Sequence, residues 1–446
     1  MKTIVEPKGS IEKLWGKQRS MNEEESYRMM RYVLRVDHED KVFLHNVVTG
    51  QLVVLDPEEE LLVDRLPLNY CSAMNQLIDH HFLVPAGFDE HQRVADLRKV
   101  LGKLDQAQQK PGITHYTILP TTACNARCYY CFEHGAKVMT MTEQIADSVV
   151  EFIDSHCAAE RAVAVSWFGG EPTVAADRIS QICEGLQRKG IQYRSDITSN
   201  GYLLDEKMAK KARALWHLDK ASITLDGTED TYNRIKAYIH ACDSPYRKVL
   251  ENVSCLLDQG IEVGLRMNFD VGNYREFDGL LQDLAKRFQA NPLLQVHVHP
   301  VIGEYPEDNG AVLHGSDSWF DEKVAELNEK AREAGFLARS HELPSLRYKG
   351  CQANSDSSVT IIPDGSLVRC PEQFGEDQIT GTIREGITRP EVVESWKQFV
   401  DYGKCDDCIL FPYCLRLLNC SAKERCNFLK DSLLQYRYCI KHKLYS

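Results

Sequence analysis

Three cysteines, Cys124, Cys128 and Cys131, stand at Cys-x3-Cys-x2-Cys spacing inside Thr122-Ala123-Cys124-Asn125-Ala126-Arg127-Cys128-Tyr129-Tyr130-Cys131. The run before them, Tyr116 to Leu119, is apolar and β-branched, so the thiols fall in the turn that leaves a strand. Thiolates held at one corner of a loop suit iron. A [4Fe–4S] cube with three cysteine ligands leaves one iron open to bind and reduce something else. The plain alternative is three packing thiols, since cysteine buries readily as a small hydrophobe. A polar Asn-Ala-Arg turn among them fits that alternative poorly.

The triad, with the aromatic Tyr130 just before its last cysteine, resembles the signature of radical S-adenosylmethionine (SAM) enzymes. The resemblance implies that the open iron chelates the amino and carboxylate groups of SAM. An electron from the cluster then cleaves the sulfonium to a 5′-deoxyadenosyl radical, with Tyr130 among the cofactor-binding residues. Downstream, Trp167-Phe168-Gly169-Gly170-Glu171-Pro172 taken alone is a glycine turn before a helix. At this distance from the triad it resembles the family's Gly-Gly-Glu-Pro motif, whose residues hold the amino group of SAM. By the same resemblance Ser199 and Asn200, and Thr224 before Asp226-Gly227, contact the ribose or carboxylate of SAM.

Elements that could position these residues alternate from about residue 113 to 300. Strand-like runs occur at His115–Leu119, Ala162–Trp167, Gln192–Thr198, Lys220–Leu225, Glu262–Asn268 and Leu294–Val298. Helical runs fill the gaps at Thr142–His156, Ala175–Lys189, Asp205–Trp216, Ser244–Gln259 and Tyr274–Gln289. Such alternation implies a parallel sheet with right-handed crossovers, an α/β class that resembles the partial (β/α)6 barrel of the radical SAM family. Chemistry in such barrels sits at the carboxyl ends of the strands, where the cysteine loop falls. Arg266, Asn268, His297 and His299 are placed to face the interior, although a buried, hydrogen-bonded His is the usual case.

Four regions follow: a small α+β module over 1–110, the barrel over 111–310, a bridge over 311–350 with a helix at Trp319–Ala334, and a cysteine-rich end over 351–446. The module reads as strands over 31–36, 42–47 and 51–55, then helices from Pro57 to Leu66, around Tyr70–His80 and over Arg93–Leu104. Its plain role is scaffolding; its sharper one is docking a peptide along an exposed sheet edge.

Half of the sixteen cysteines lie beyond residue 350: Cys351, Cys370, Cys405, Cys408, Cys414, Cys420, Cys426 and Cys439. Zinc in closed four-cysteine sites and iron–sulfur clusters both accept such a set. The spacing of Cys351, Gly365 and Cys370, followed by Cys405-x2-Cys408-x5-Cys414, closely resembles the SPASM extension, which carries two auxiliary [4Fe–4S] clusters in peptide-modifying radical SAM enzymes. The family separates its next cysteine by three residues, whereas Cys414 and Cys420 are separated by five and Cys426 is additional. By the family's crossed arrangement, Cys405, Cys408 and Cys414 join Cys439 on one cluster. Cys351, Cys370 and Cys420, with Cys426 as a further candidate, make the other. The remaining Cys71, Cys157, Cys183, Cys242 and Cys255 read as packing thiols. Basic residues from Arg416 to Lys443 either offset cluster charge or form a solvated face.

Composition bounds the rest. With 43% hydrophobic and 26% charged residues the chain has a soluble globular composition. Fifty-three basic against sixty-five acidic residues argue against an extended nucleic-acid surface. No apolar run reaches bilayer length, and a cytoplasmic location is expected. The resemblance implies an enzyme that installs a thioether or C–C crosslink in a ribosomally made precursor peptide, fed by a low-potential donor such as a flavodoxin or ferredoxin. Sulfatase maturation to formylglycine is the alternative. In that branch an Asp follows the second cysteine of the extension, where this chain has Pro371. A non-catalytic iron–sulfur electron carrier is the alternative of another class.

Overall fold

The computed structural model describes residues 1–16, 24–108, 111–133, 135–288, 291–301, 317–336, 343–399, 405, 408–415 and 417–420. Two compact units emerge: Met1–Gln109 with His341–Gly350 and Phe399–Ser446, and Lys110–Ser340 with Cys351–Gln398. The regions drawn from the sequence ran 351–446 together. The compact units divide that stretch between residues 398 and 399 and place 341–350 with the N-terminal module.

The first unit contains β1 (Lys2–Val5), α1 (Gly9–Trp15), β2 (Ser26–Met29), β3 (Val33–His38), β4 (Lys41–Asn46), β5 (Leu52–Val54), α2 (Pro57–Asp64), β6 (Leu68–Asn69), α3 (Asn75–Asp79), β7 (Leu83–Pro85) and α4 (Glu90–Gln108). An antiparallel sheet runs β1-β5-β4-β3 and a smaller one β6-β2-β7. Asp56 and Glu59 close a capping box at the start of α2, with Pro57 at its first position. The helix expected around Tyr70–His80 is a 3-10 turn followed by the short α3, because Cys71 is still extended. Trp15, Tyr27, Leu44, Phe82 and Leu97 form the core, joined by Leu346 and Leu410 from the later segments.

The second unit holds the alternating run. Its strands are β8 (His115–Thr121), β9 (Ala162–Gly169), β10 (Gln192–Ser199), β11 (Leu218–Thr224), β12 (Glu262–Phe269) and β13 (Leu294–Pro300), all parallel. Between them run α5 (Glu143–His156), α6 (Ala176–Arg188), α7 (Glu206–Ala214), α8 (Glu229–Lys236), α9 (Pro245–Asp258) and α10 (Phe277–Phe288), and α11 (Asp317–Glu333) follows. Side-chain caps start several of them. Thr142 accepts from Ile145 N at 3.3 Å and Asp205 from Met208 N at 2.9 Å.

β9, β10, β11 and β13 alternate in burial, whereas β8 and β12 are buried along most of their length. Val163, Val165, Trp167, Ile197, Ile223, Val263, Leu265, Met267 and Val296 pack into one core beneath the helices. Their neighbours Ser166, Thr198, Ser222, Thr224, Arg266 and His297 are half-buried on the opposite, polar face. The six strands do not close on one another. β14 (Ser358–Ile361) pairs in parallel with the free edge of β8, from Ser358 opposite His115 to Ile361 opposite Ile118. β15 (Ser366–Val368), β16 (Gly381–Thr382) and β17 (Gly386–Ile387) extend that edge antiparallel, and α12 (Pro390–Ser395) ends the unit. Among the described residues no helix is long and apolar enough to cross a membrane.

Candidate functional site

Cys124, Cys128 and Cys131 lie in the loop that leaves the carboxyl end of β8. All three are free and half-buried. Burial pushes the Cys124 thiol up to about 12, so a thiolate there needs a cation to hold it, which a bound metal supplies. Among the described residues no three His, Cys, Asp or Glu side chains converge on a single-ion site. A cluster takes each thiolate on a different iron, so its ligands stand further apart than those of one zinc ion. Cys124, Cys128 and Cys131 are thus gathered in one short loop at the end of β8.

The end of β9 is fastened to this loop. Gly170 N donates to Thr121 O at 3.2 Å and Glu171 N to Ala123 O at 2.9 Å. A Cβ on Gly169, whose φ is +120°, would lie 2.3 Å from Thr121 O; one on Gly170 would lie 2.5 Å from Thr122 O. Only glycines permit this approach. The Glu171 carboxylate is fully buried and accepts from Ser199 Oγ at 2.8 Å, Asn200 N at 2.7 Å and Thr173 N at 3.2 Å. Burial pushes its pKa up against these hydrogen bonds. Glu171 therefore ties the ends of β9 and β10 together, and the Ser199 hydroxyl is spent on it. Asn200 reaches the cysteine loop itself, donating from Nδ2 to Asn125 Oδ1 at 2.7 Å and lying 4.0 Å from Cys124 Sγ.

Tyr130 anchors the other side. Its hydroxyl donates to Asp226 Oδ2 and accepts from Lys236 Nζ at 2.9 Å and Asn268 Nδ2 at 3.0 Å. Lys236 Nζ also reaches Thr224 Oγ1 at 2.6 Å and pairs with Asp226 at 2.7 Å, both charged side chains being essentially inaccessible. Burial works against the Lys236 charge; Asp226 and Cys128 outweigh it and hold the ammonium above its ordinary range. The segment ending α8 grips the loop through its backbone, with Arg127 N on Lys236 O at 2.8 Å and Ile239 N on Asn125 O at 2.9 Å. Asp226 and Lys236 were not among the residues singled out from sequence. One signal was present: on α8, Thr231, Tyr232, Ile235 and Lys236 form the buried face, so a cation sits in an apolar stripe.

Arg266 and Asn268 share the polar face of β12, and Asn268 joins the Tyr130 network. Among the described residues, Arg266 Nε is buried without a hydrogen-bond partner. His297 lies over Gly264, its Cε1 3.9 Å from the position of a Cβ there.

The C-terminal thiols fall in both units. In the second, Cys351 is exposed and Cys370 half-buried; Arg369, just before Cys370, donates to Ala353 O at 2.8 Å, Ser358 O at 2.9 Å and Ser355 O. In the first, Cys405, Cys408, Cys414 and Cys420 are half-buried. Arg98 of α4 donates there to Arg347 O at 3.1 Å, Pro412 O at 3.0 Å, Cys414 O at 2.7 Å and Phe411 O. Cys426, Cys439 and the basic run from Arg416 to Lys443 lie outside the described residues. The packing expectation holds for Cys183, which is fully buried, and for Cys157 and Cys255, which are half-buried against the same core. It fails for Cys71 and Cys242: both are exposed, because they sit in connecting segments rather than on a helix face.

Residues 118–284 match the family model described as the Radical SAM superfamily. Among curated proteins, the chain is similar to Fe-coproporphyrin III synthase of Methanosarcina barkeri, 28% identical over 49% of this chain and 52% of that protein. It spans about half the length of the curated relatives it matches first. Among solved structures it resembles native anSMEcpe with bound AdoMet and Cp18Cys peptide, at a TM-score of 0.55 and 16% identity over 75% of this chain and 98% of that one. It also resembles Streptococcus suis SuiB bound to precursor peptide SuiA, at a TM-score of 0.52 and 13% identity over 87% and 94%. At these identities the structural likeness is one of fold.

Proposed function

From the premise that this chain carries a radical SAM domain, the domain of a superfamily of enzymes of radical chemistry, we propose that it is a peptide maturase that installs a thioether or C–C crosslink in a ribosomally made precursor. The observation that carries the peptide reading is a separate compact unit on the same chain. Its own antiparallel sheet ends on the edge strand β3, a surface on which an extended peptide can add as a strand. The fold shared with SuiB, a protein solved with a precursor peptide bound, supports the same reading.

When bound, a cluster and SAM would supply radical chemistry at a substrate C–H bond. The chain's residues do the rest. Cys124, Cys128 and Cys131 hold the cluster, and Gly169 and Gly170 bring the end of β9 against its loop. Asn200 and the Tyr130, Asp226 and Lys236 network fix that loop from two sides. The polar faces of β11 and β12, with Thr224 and Arg266, offer hydrogen-bonding groups to SAM and substrate. Cys351, Cys370, Cys405, Cys408, Cys414, Cys420, Cys426 and Cys439 are the ligands proposed for two auxiliary clusters, and a flavodoxin or ferredoxin is the proposed electron donor. Pro371 after Cys370 makes formylglycine formation the less favoured reading.

The test is anaerobic reconstitution of the wild type beside a Cys124→Ala, Cys128→Ala, Cys131→Ala triple variant, with 5′-deoxyadenosine release assayed under dithionite and SAM. Three clusters predict about twelve irons falling to about eight, with loss of deoxyadenosine. A wild type that binds iron but never cleaves SAM would sink the proposal.

A further inference from the structure

The Cys408–Cys414 turn is held by a helix far away in sequence. The turn makes its own short-range bonds, Cys408 N to Cys405 O at 3.0 Å, Phe411 N to Cys408 O at 2.9 Å and Cys414 N to Leu410 O at 2.8 Å. The carbonyls of Phe411, Pro412 and Cys414 all face Arg98 Nη2, Pro412 O accepting from Arg347 N at 2.9 Å as well, while Arg98 Nε donates to Arg347 O. Nε and Nη2 lie on one side of a planar guanidinium, so this one side chain holds the carbonyls of the turn and that of Arg347 in a fixed relation. Phe411 seals the arrangement. It stacks on His91 with centroids 4.0 Å apart, and the Arg98 guanidinium lies 4.6 Å from its ring centre. Arg369 shows what a local solution looks like: it precedes Cys370 directly and clamps carbonyls just beyond Cys351. Arg98 instead comes from the N-terminal module, and it sets its guanidinium 2.7 Å from the carbonyl of Cys414 itself.

We propose that Arg98 is a positioning residue for the C-terminal metal centre: it shapes the Cys408–Cys414 turn for cluster binding and supplies the cation that offsets the charge of the thiolates. The N-terminal module is then part of the metal-holding machinery as well as a docking surface. This rests on the reading of Cys405, Cys408 and Cys414 as ligands. Two consequences separate it from a packing role. Removing the fork should cost metal at this site while the Cys124 cluster remains. Removing the charge should shift the potential of whatever cluster is retained, because nearby charge and hydrogen bonds set it.

Full-length wild type, Arg98→Met, Arg98→Gln and Arg98→Lys are reconstituted anaerobically, and iron, sulfide, reduced-state EPR, potential and deoxyadenosine release are measured. Arg98→Met should lose about four irons and their EPR signal while SAM cleavage stays within about twofold of wild type. Arg98→Lys should keep more iron than Arg98→Met, and its remaining cluster should titrate at a higher potential. Wild-type iron, spectrum and potential in Arg98→Met overturn the proposal while leaving the ligand reading standing. Should Arg98→Met fail to fold, Arg98→Gln decides: a neutral amide has neither the charge nor the paired Nε and Nη2 donors, so wild-type iron, EPR and potential in that variant overturn it. A wild type with only about four irons removes the ligand reading, and the proposal with it.

Discussion

Gly170→Ala isolates how the two halves of the cofactor site are joined. Its Cβ would fall 2.5 Å from Thr122 O, 2.6 Å from Ala123 O and 2.8 Å from Ala123 C, against about 3.5 Å for an unstrained contact. All three atoms are backbone, in the residues that lead straight into Cys124, so no side chain can swing away. Relief must come from separating β9 from the loop. Overpacking of this kind costs about 1–3 kcal/mol. The separation also breaks the Gly170 N to Thr121 O and Glu171 N to Ala123 O bonds, each worth about 0.5–1.5 kcal/mol. Together the expected destabilisation is about 2–6 kcal/mol. Urea unfolding of the apo protein reads it, and anaerobic iron content reads whether Cys124 still meets its partners. Apo stability within about 1 kcal/mol of wild type with a full iron complement would refute the idea that the glycine pair exists to let these backbones touch.

Other outcomes follow from the same geometry. Lys236→Met leaves Asp226 charged and buried, which should cost about 3–5 kcal/mol, and adding Asp226→Asn should restore part of it in a double-mutant cycle. Glu90 is 1% exposed; burial pushes its pKa up, but Arg28 and the Arg31 N–H outweigh it and hold it below its ordinary value. Its contribution is therefore present above the unfolded carboxylate value of 4.5 and lost as pH falls through the folded one. Glu90→Gln should destabilise the first unit at neutral pH and flatten its acid unfolding profile below that value, as followed by circular dichroism. A Cβ at Gly102, within α4, meets nothing within 4 Å, so Gly102→Ala should stabilise by about 0.5–1 kcal/mol in urea titrations. Cys71 and Cys242 should alkylate rapidly in the native protein and Cys183 only on unfolding, which peptide mapping after iodoacetamide will show.

The six barrel strands were legible because each couples an apolar run to a turn, a local property; all six lie within a few residues of their expected bounds. Gly169 and Gly170 were legible because Gly-Gly-Glu-Pro stands downstream of the cysteine triad; alone, the pair reads as a turn before a helix. Lys236 was not, since its partners Tyr130, Thr224 and Asp226 are brought to it only by tertiary folding. The same holds for β14: Ser358–Ile361 reads as one arm of a hairpin, and nothing in its residues names β8 as a partner. Arg98 looks like any solvent-facing cation of a polar helix, and its role is visible only when the Phe411 and Cys414 carbonyls are placed around it.

The pairing of β14 with β8 also has a consequence for how this chain is made. The first strand of the parallel sheet leaves the ribosome early, and its outer edge has no partner until Ser358–Ile361 emerges far later. Through that interval a strand containing Tyr116, Ile118 and Leu119, all fully buried in the finished fold, offers unpaired backbone groups to any neighbouring chain. Translation that stalls before residue 358 should therefore yield products that aggregate edge to edge rather than a smaller soluble barrel.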